Sequence, residues 1–410
     1  MDEKRKMRLL CLAACLALVI ACIAWGAGTG KLDLKIGSNK NGSVNEPLNK
    51  EETGFGAGGQ KGENGKEKDD LEDAVARKAQ ELLPKKPVTV GFAQAGHGSD
   101  WLLAQTKRCK EAFRDENGYR LYFIDADNDH KAQVDAVRGF IKDKVDYILL
   151  NPVVESGWTA ALKEAYHAKI PVFLLGGRVD CDGKYYEAWF GPDYELEGEC
   201  AGIWLKSHLD RKRQSDAPLR IAVIFGTMGS SPQLLRMQGF LDYFGQNESW
   251  RLISGESGGF TERGGRLAME KYLDAYLNLD SDKNLELDVL ICQNESMAYG
   301  AMAALDEAGV AYGKEGGMTI LSFDGTKDGL EAVEQGKIQA DFGCASDFDL
   351  AVLAREAIEE LESGGMILKK ENYMETACFT CEEEPKYLFT SAGLKRMEIV
   401  TAELLKNREY

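Results

Sequence analysis

From residue 88 onward, short β-rich runs alternate with stretches of helical spacing, and this alternation restricts the fold more than any other feature. Residues 88–93 (VTVGFA) read as a buried strand, and 101–117 as a helix ended by Gly118. Strands at 119–125, 147–150 and 171–175 follow, with helices at 131–143 and 159–168 between them. After a helix over 195–209, a second series opens with the strand 220–225 (RIAVIF). It continues through helix 232–244, strand 250–255, helix 262–276, strand 289–292, helix 297–308 and strand 318–323. Strands separated by helices of roughly 10–15 residues build right-handed βαβ units on a parallel sheet. Two series in tandem predict an α/β protein of two Rossmann-like, doubly wound lobes.

Open parallel sheets bind ligands beyond the carboxyl ends of their strands. The residues there are Gln94, Asp125, Asn151, Gly176 to Arg178, Gly226, Asn294 and Asp324, most of them polar or glycine. A cleft lined by such groups suits a small ligand rich in hydroxyls.

The N-terminus assigns a compartment. Residues 1–8 carry a basic cluster, and 9–25 are uncharged and mostly apolar, the pattern of a secretory signal. Val19-Ile20-Ala21-Cys22 has the form of a lipobox, which would make Cys22 a diacylated residue; two acyl chains hold a protein at a membrane where one does so only marginally. An uncleaved membrane anchor is the alternative for residues 1–22. Residues 23–69 are rich in Gly, Asn, Lys and Glu and read as a flexible tether; 70–86 read as a lead-in helix stopped by Pro84 and Pro87. The folded body is expected outside the cytoplasmic membrane and tethered to it. A net charge of −17 excludes a nucleic-acid partner, which requires a basic footprint.

Catalytic chemistry finds little support. The four histidines (His97, His130, His167, His208) are scattered, no nucleophile or phosphate motif occurs, and no cluster has metal-ligand spacing. Neither an enzyme, a metal nor a cofactor is expected. Three of the ten cysteines lie in the leader. The lone Cys378-Phe-Thr-Cys381 motif is a local disulfide or two free thiols, and a poor zinc signal without a second pair.

Several ordered motifs resemble the type I periplasmic solute-binding proteins of the ribose and galactofuranose class, the substrate-binding components of sugar ABC importers. They are Val90-Gly-Phe-Ala-Gln94 with Ser99-Asp100-Trp101, Asn151-Pro-Val-Val-Glu-Ser-Gly-Trp158, Gly226-Thr-Met-Gly-Ser230, Arg236-Met-Gln-Gly-Phe240, Ser257-Gly-Gly-Phe-Thr261 and Phe323-Asp324-Gly325. The resemblance implies a hinge of three crossings, near 191–194, 344–347 and 370–379. The N-terminal lobe would then comprise 87–191 and 347–375, and the C-terminal lobe 192–346 and 376–410, with a helix over 348–363 and a terminal helix over 391–407. It also implies ligand-binding roles for Gln94, Trp101, Asn151, Arg178, Arg236, Asn294 and Asp324, with Trp101 stacking on a monosaccharide.

Three departures stand out. Gly176-Gly177 replaces the family's Asp-Arg, with Arg178 one position later; Leu102 replaces an arginine found in galactofuranose binders; Gly343 replaces a Gln or Glu. The expected function is capture of a small polar ligand, a monosaccharide or similar metabolite, for delivery to an ABC permease. The alternative is a ligand-sensing partner of a membrane histidine kinase or chemoreceptor.

Overall fold

A computed structural model describes residues 86–408 apart from 213–216, 279–283 and 345–348. The leader with Cys22, the tether and nearly all of the lead-in helix lie outside the described residues. So does most of the second crossing.

The first sheet has six parallel strands in the order β11-β5-β4-β3-β1-β2. These are β1 (Val88–Gln94), β2 (Tyr119–Asp125), β3 (Tyr147–Leu150), β4 (Val172–Leu175), β5 (Ala188–Gly191) and, from late in the chain, β11 (Glu371–Tyr373). Helices α1 (Asp100–Ala112), α2 (His130–Asp143) and α3 (Thr159–Ala168) join the early strands. The strands β3, β4 and β5 are buried along their whole length, as expected of a sheet covered on both faces. Ser99 and Asp129 start α1 and α2 by accepting the amide hydrogens of Leu102 and Ala132.

The chain leaves β5 and enters α4 (Tyr194–Lys212), which packs on the second sheet. That sheet has eight strands in the order β13-β14-β12-β10-β9-β8-β6-β7. They are β6 (Leu219–Phe225), β7 (Trp250–Ser257), β8 (Val289–Cys292), β9 (Thr319–Asp324), β10 (Ala340–Cys344), β12 (Thr376–Thr380), β13 (Tyr387–Thr390) and β14 (Gly393–Ile399). Its helices include α5 (Ser231–Phe244), α6 (Glu262–Tyr276), α7 (Glu295–Ala308) and α8 (Lys327–Glu334). Between β10 and β11 the chain returns to the first lobe as α9 (Leu350–Glu362). The structure is thus a two-lobe α/β fold of two largely parallel sheets.

One expectation fails. Residues 391–407 do not form a single helix: β14 pairs with β13 and β12, and only α10 (Ala402–Asn407) is helical. Gly393, at φ +106°, turns the β13–β14 hairpin, and Met397 is buried from the strand. Thr401 then starts a new helix by accepting the Leu404 amide. The CxxC motif is not bridged either. All seven cysteines among the described residues are free; Cys378 lies beside Cys200 in the core, and the Cys381 thiol donates to the Gln339 carbonyl at 3.8 Å.

Helices α4 and α5 cross with glycine at the contact. A methyl group on Gly239 would stand 1.9 Å from the Glu195 carbonyl oxygen, and one on Gly198 2.0 Å from that of Arg236. No rotamer relieves a clash with backbone, so the helices would have to separate. Gly239→Ala is expected to destabilise the protein by about 1–3 kcal/mol, read as a lower urea midpoint at unchanged slope.

Candidate functional site

The carboxyl ends of both sheets face one cavity of about 180 Å³ between the lobes. A dry cavity of about 150 Å³ accepts benzene, so this volume suits one ring rather than two. Trp101, Leu102, Asn151, Pro152, Val153 and Gly177 line it from the first lobe; Tyr194, Ser230, Arg236, Phe260 and Asp324 line it from the second. The lobes touch at its mouth. Thr227 donates to Asn128 Oδ1 at 3.0 Å, the Glu155 amide to the Gly229 carbonyl at 2.9 Å, and the Arg178 amide to Ser231 Oγ at 2.7 Å.

Arg236, on the second turn of α5, is buried. Its Nε donates to Glu197 Oε2 at 2.8 Å, Nη1 to the Gln293 carbonyl at 2.6 Å, and Nη2 to Asp324 Oδ1 at 2.7 Å. The guanidinium lies between the rings of Tyr194 and Phe323, 5.0 and 4.9 Å from their centres. Asp324 ends β9 at φ +102°, and among the described residues its Oδ2 makes no hydrogen bond.

The first lobe contributes a different surface. Trp101 begins α1, and its ring lies over Gly176: a Cβ there would meet the indole at 2.8 Å. A Cβ on Gly177 would meet Pro152 at 2.9 Å. The pair of glycines is therefore the space the indole and proline occupy. Asn151 lines the cavity with its amide engaged, Nδ2 donating to Gln94 Oε1 at 2.8 Å and Gln105 Oε1 at 2.9 Å, Oδ1 accepting from the Gly177 amide at 3.3 Å.

Of the seven residues expected at the ligand, Trp101, Asn151, Arg236 and Asp324 line the cavity, and three do not. Gln94 is wholly buried behind the wall, its side chain bonded to Gln105, Thr106 and Asn151. Asn294 caps α7 by accepting the Met297 amide at 3.0 Å. The Arg178 side chain turns away, 3.8 Å over the Trp189 ring and 3.3 Å from Glu371. Tyr194, Ser230 and Phe260 are among the lining residues that went unread in the sequence. Tyr194 sits where the chain first crosses between lobes, a position the crossing itself marks. Phe260 holds φ +61°, with its ring against Gly226.

Beneath the cavity floor the second lobe buries Glu197, Glu295 and Asp341. Burial pushes the Glu197 carboxyl up to about 8, against the opposing charge and hydrogen bond of Arg236. Burial likewise raises Asp341 to about 7, although the Ser322 hydroxyl bonds its Oδ2. Glu295 is raised well above the carboxylate range by burial and by the charges of Asp341 and Asp324. One guanidinium does not balance so many carboxylates, and protonation is the alternative to desolvated negative charge.

The periplasmic binding protein domain family matches residues 90–362. The galactofuranose-binding protein YtfQ of Escherichia coli (strain K12) is 32% identical over 298 residues, which are 72% of this chain and 89% of that protein. The crystal structure of a galactofuranose binding protein superposes with a TM-score of 0.65 at 30% identity, covering 72% of this chain and 95% of that one. The binding protein of the arabinose ABC transporter from Shewanella sp. ANA-3, bound to α- and β-L-arabinofuranose, gives 0.63 at 31%, covering 71% and 91%.

The raised carboxyls carry a pH signature. In the window between their ordinary and folded values, the native state holds protons that the unfolded chain has released. The stability they contribute is complete below about pH 4 and is lost as pH rises through 7 and 8. The urea midpoint is expected to fall between pH 5 and pH 8, and Glu197→Gln, which keeps the neutral shape, is expected to flatten that slope.

Proposed function

The chain belongs to the periplasmic binding protein domain family, and on that premise we propose that it captures a neutral monosaccharide between its lobes for an ABC importer. The family is one of binding proteins rather than enzymes. The observation that carries the sugar reading is the Asp324–Arg236 pair at the cavity wall. Arg236 occupies one carboxylate oxygen and fixes the group's orientation, which leaves the other oxygen to accept from a hydroxyl. Arg236 uses three of its five N–H donors within the protein, so two remain for ligand oxygens. The pair is internally neutral, which suits an uncharged polyol better than a carboxylate or phosphate. Trp101 supplies the flat apolar surface on which the C–H face of a sugar ring packs. The relatives are described as binding galactofuranose and arabinofuranose, and both sugars fit a one-ring cavity.

No chemistry on the ligand is required. Closure desolvates the sugar between the lobes, and release follows opening at the permease. The Val19-Ile20-Ala21-Cys22 motif supports tethering of the mature chain at the membrane surface by a diacylated Cys22.

Titration calorimetry against pentoses and hexoses tests the reading. At least one sugar is expected to bind, and Trp101→Ala and Asp324→Ala are each expected to weaken it about 10- to 100-fold, as loss of a buried charged or stacking contact does. Unchanged affinity in both variants would remove the site assignment. Intact-mass measurement of the membrane-extracted protein is expected to show a chain beginning at acylated Cys22; a chain retaining Met1 would favour the anchor.

A further inference from the structure

One short segment of the first lobe, residues 176–180, underlies two of the three bonds across the mouth. The Arg178 amide donates directly to Ser231 Oγ at 2.7 Å. The Asp180 amide donates to the Glu155 carbonyl at 2.7 Å, and the Glu155 amide donates in turn to the Gly229 carbonyl at 2.9 Å. The same segment borders the cavity, with Gly176 under the Trp101 indole and the Gly177 amide on Asn151 Oδ1.

Beyond the end of β4 at Leu175 the segment is neither helix nor strand. Gly176 is tied to β5, its amide donating to the Phe190 carbonyl at 2.7 Å and its carbonyl accepting from Trp189 Nε1 at 2.9 Å. Further along, the side chain of Arg178 is the anchor. Its guanidinium lies 3.8 Å from the centre of the Trp189 ring and 5.3 Å from that of Tyr373, with Nη1 3.3 Å from Glu371 Oε1. A half-buried cation over aromatic faces holds more firmly than one in open water.

The three anchoring residues belong to the strands that lead into the hinge. Trp189 lies on β5 two residues before Gly191, where the first crossing begins. Glu371 and Tyr373 lie on β11, a three-residue edge strand that pairs with β5 and ends just before the third crossing. One side chain thus connects the mouth segment to both strands.

Resting on the sugar reading, we infer that Arg178 is a positioning residue for closure: docked on β5 and β11, its side chain holds residues 176–180 where the mouth bonds form, without touching the ligand. The bonds to Ser231 and Gly229 exist only while the lobes are together. Loosening the segment therefore disfavours the closed form relative to the open one. Loss of a hydrogen bond of this kind corresponds to about 3- to 10-fold in that balance.

The test is calorimetry and stopped-flow binding on the full chain with the pentoses and hexoses, L-arabinose and D-galactose first. Arg178→Ala is expected to weaken every sugar that binds by about 3- to 10-fold. The loss is expected in faster release, with association within about twofold of wild type and the ranking of sugars unchanged. Arg178→Lys, which keeps a charge beside Glu371 and a stem over the rings, is expected to recover part of the loss. Ser231→Ala is expected to act in the same direction, and the double variant to lose less than the product of the two single losses, because both changes remove one contact. Multiplying losses, an altered ranking of sugars or unchanged release in Arg178→Ala overturns the inference and leaves the sugar reading standing. Should Arg178→Ala not fold, the same cycle is read with Arg178→Lys. Failure of every sugar to bind the wild-type chain overturns the sugar reading, and the inference with it.

Discussion

The guanidinium of Arg236 is the contact through which the second lobe's half of the cleft is assembled. It ties α4 through Glu197, the end of β8 through the Gln293 carbonyl, and the end of β9 through Asp324. Each partner comes from a different element, so the rim of the sheet keeps its shape only while the charge is in place. Removing one member of such a buried set costs about 3–5 kcal/mol, because the others are left desolvated and unpaired. The geometry reaches the backbone as well. Asp324 is held at φ +102°, and a Cβ on the adjacent strand at Gly343 would lie 2.3 Å from the Asp324 carbonyl carbon. The Gln or Glu that the family resemblance implies at Gly343 therefore has no room here. Glycine is what allows β10 to approach the strained carboxylate position.

The two walls of the cavity are built differently. In the second lobe the paired Arg236 and Asp324 stand beside the buried residues Tyr194 and Ser230. In the first, Gln94 and Gln105 lie behind a surface made of the Trp101 indole, Pro152, Leu102 and Val153 together with Asn151 and Ser99. Gln94 and Gln105 support the wall from behind and hold Asn151, which is part of its face. An amide that donates both hydrogens to its neighbours is rigid, and a rigid wall places Trp101 without loss of entropy on binding.

Much of this was legible in the sequence. Alternating strands and helices located both sheets; the rule that ligands sit beyond parallel strand ends picked out Asn151 and Asp324, the family resemblance added Trp101 and Arg236, and all four line the cavity. The same rule was too generous with Gln94, Asn294 and Arg178. A strand-end position fixes where the backbone is, whereas local partners decide where the side chain goes. Asn294 is captured by the first turn of α7, Gln94 by α1, and Arg178 by the faces of Trp189 and Tyr373. Tyr194 was unread because it lies on a crossing rather than at a strand end. The C-terminal segment misled for a different reason. Its apolar positions fit either period over so short a run, and the hairpin contact that makes β14 a strand is set by Gly393 and by pairing with β12, which is non-local.

The mouth contacts bear on how such a cleft opens. Three hydrogen bonds across it, from Thr227, Glu155 and Arg178, contribute on the order of 0.5–1.5 kcal/mol each, and water replaces them when the lobes part. The described crossings between sheets are short: β5 ends at Gly191 and α4 starts at Tyr194, while β11 ends at Tyr373 and β12 starts at Thr376. Short crossings restrict relative motion of the lobes to a hinge, and mouth contacts of this size oppose opening only weakly. A ligand then shifts the balance only through contacts it makes in the closed form alone. On the proposed reading, Arg236 and Asp324 on one wall and Trp101 on the other would meet that condition together, because a ligand would touch both walls only once the lobes have closed.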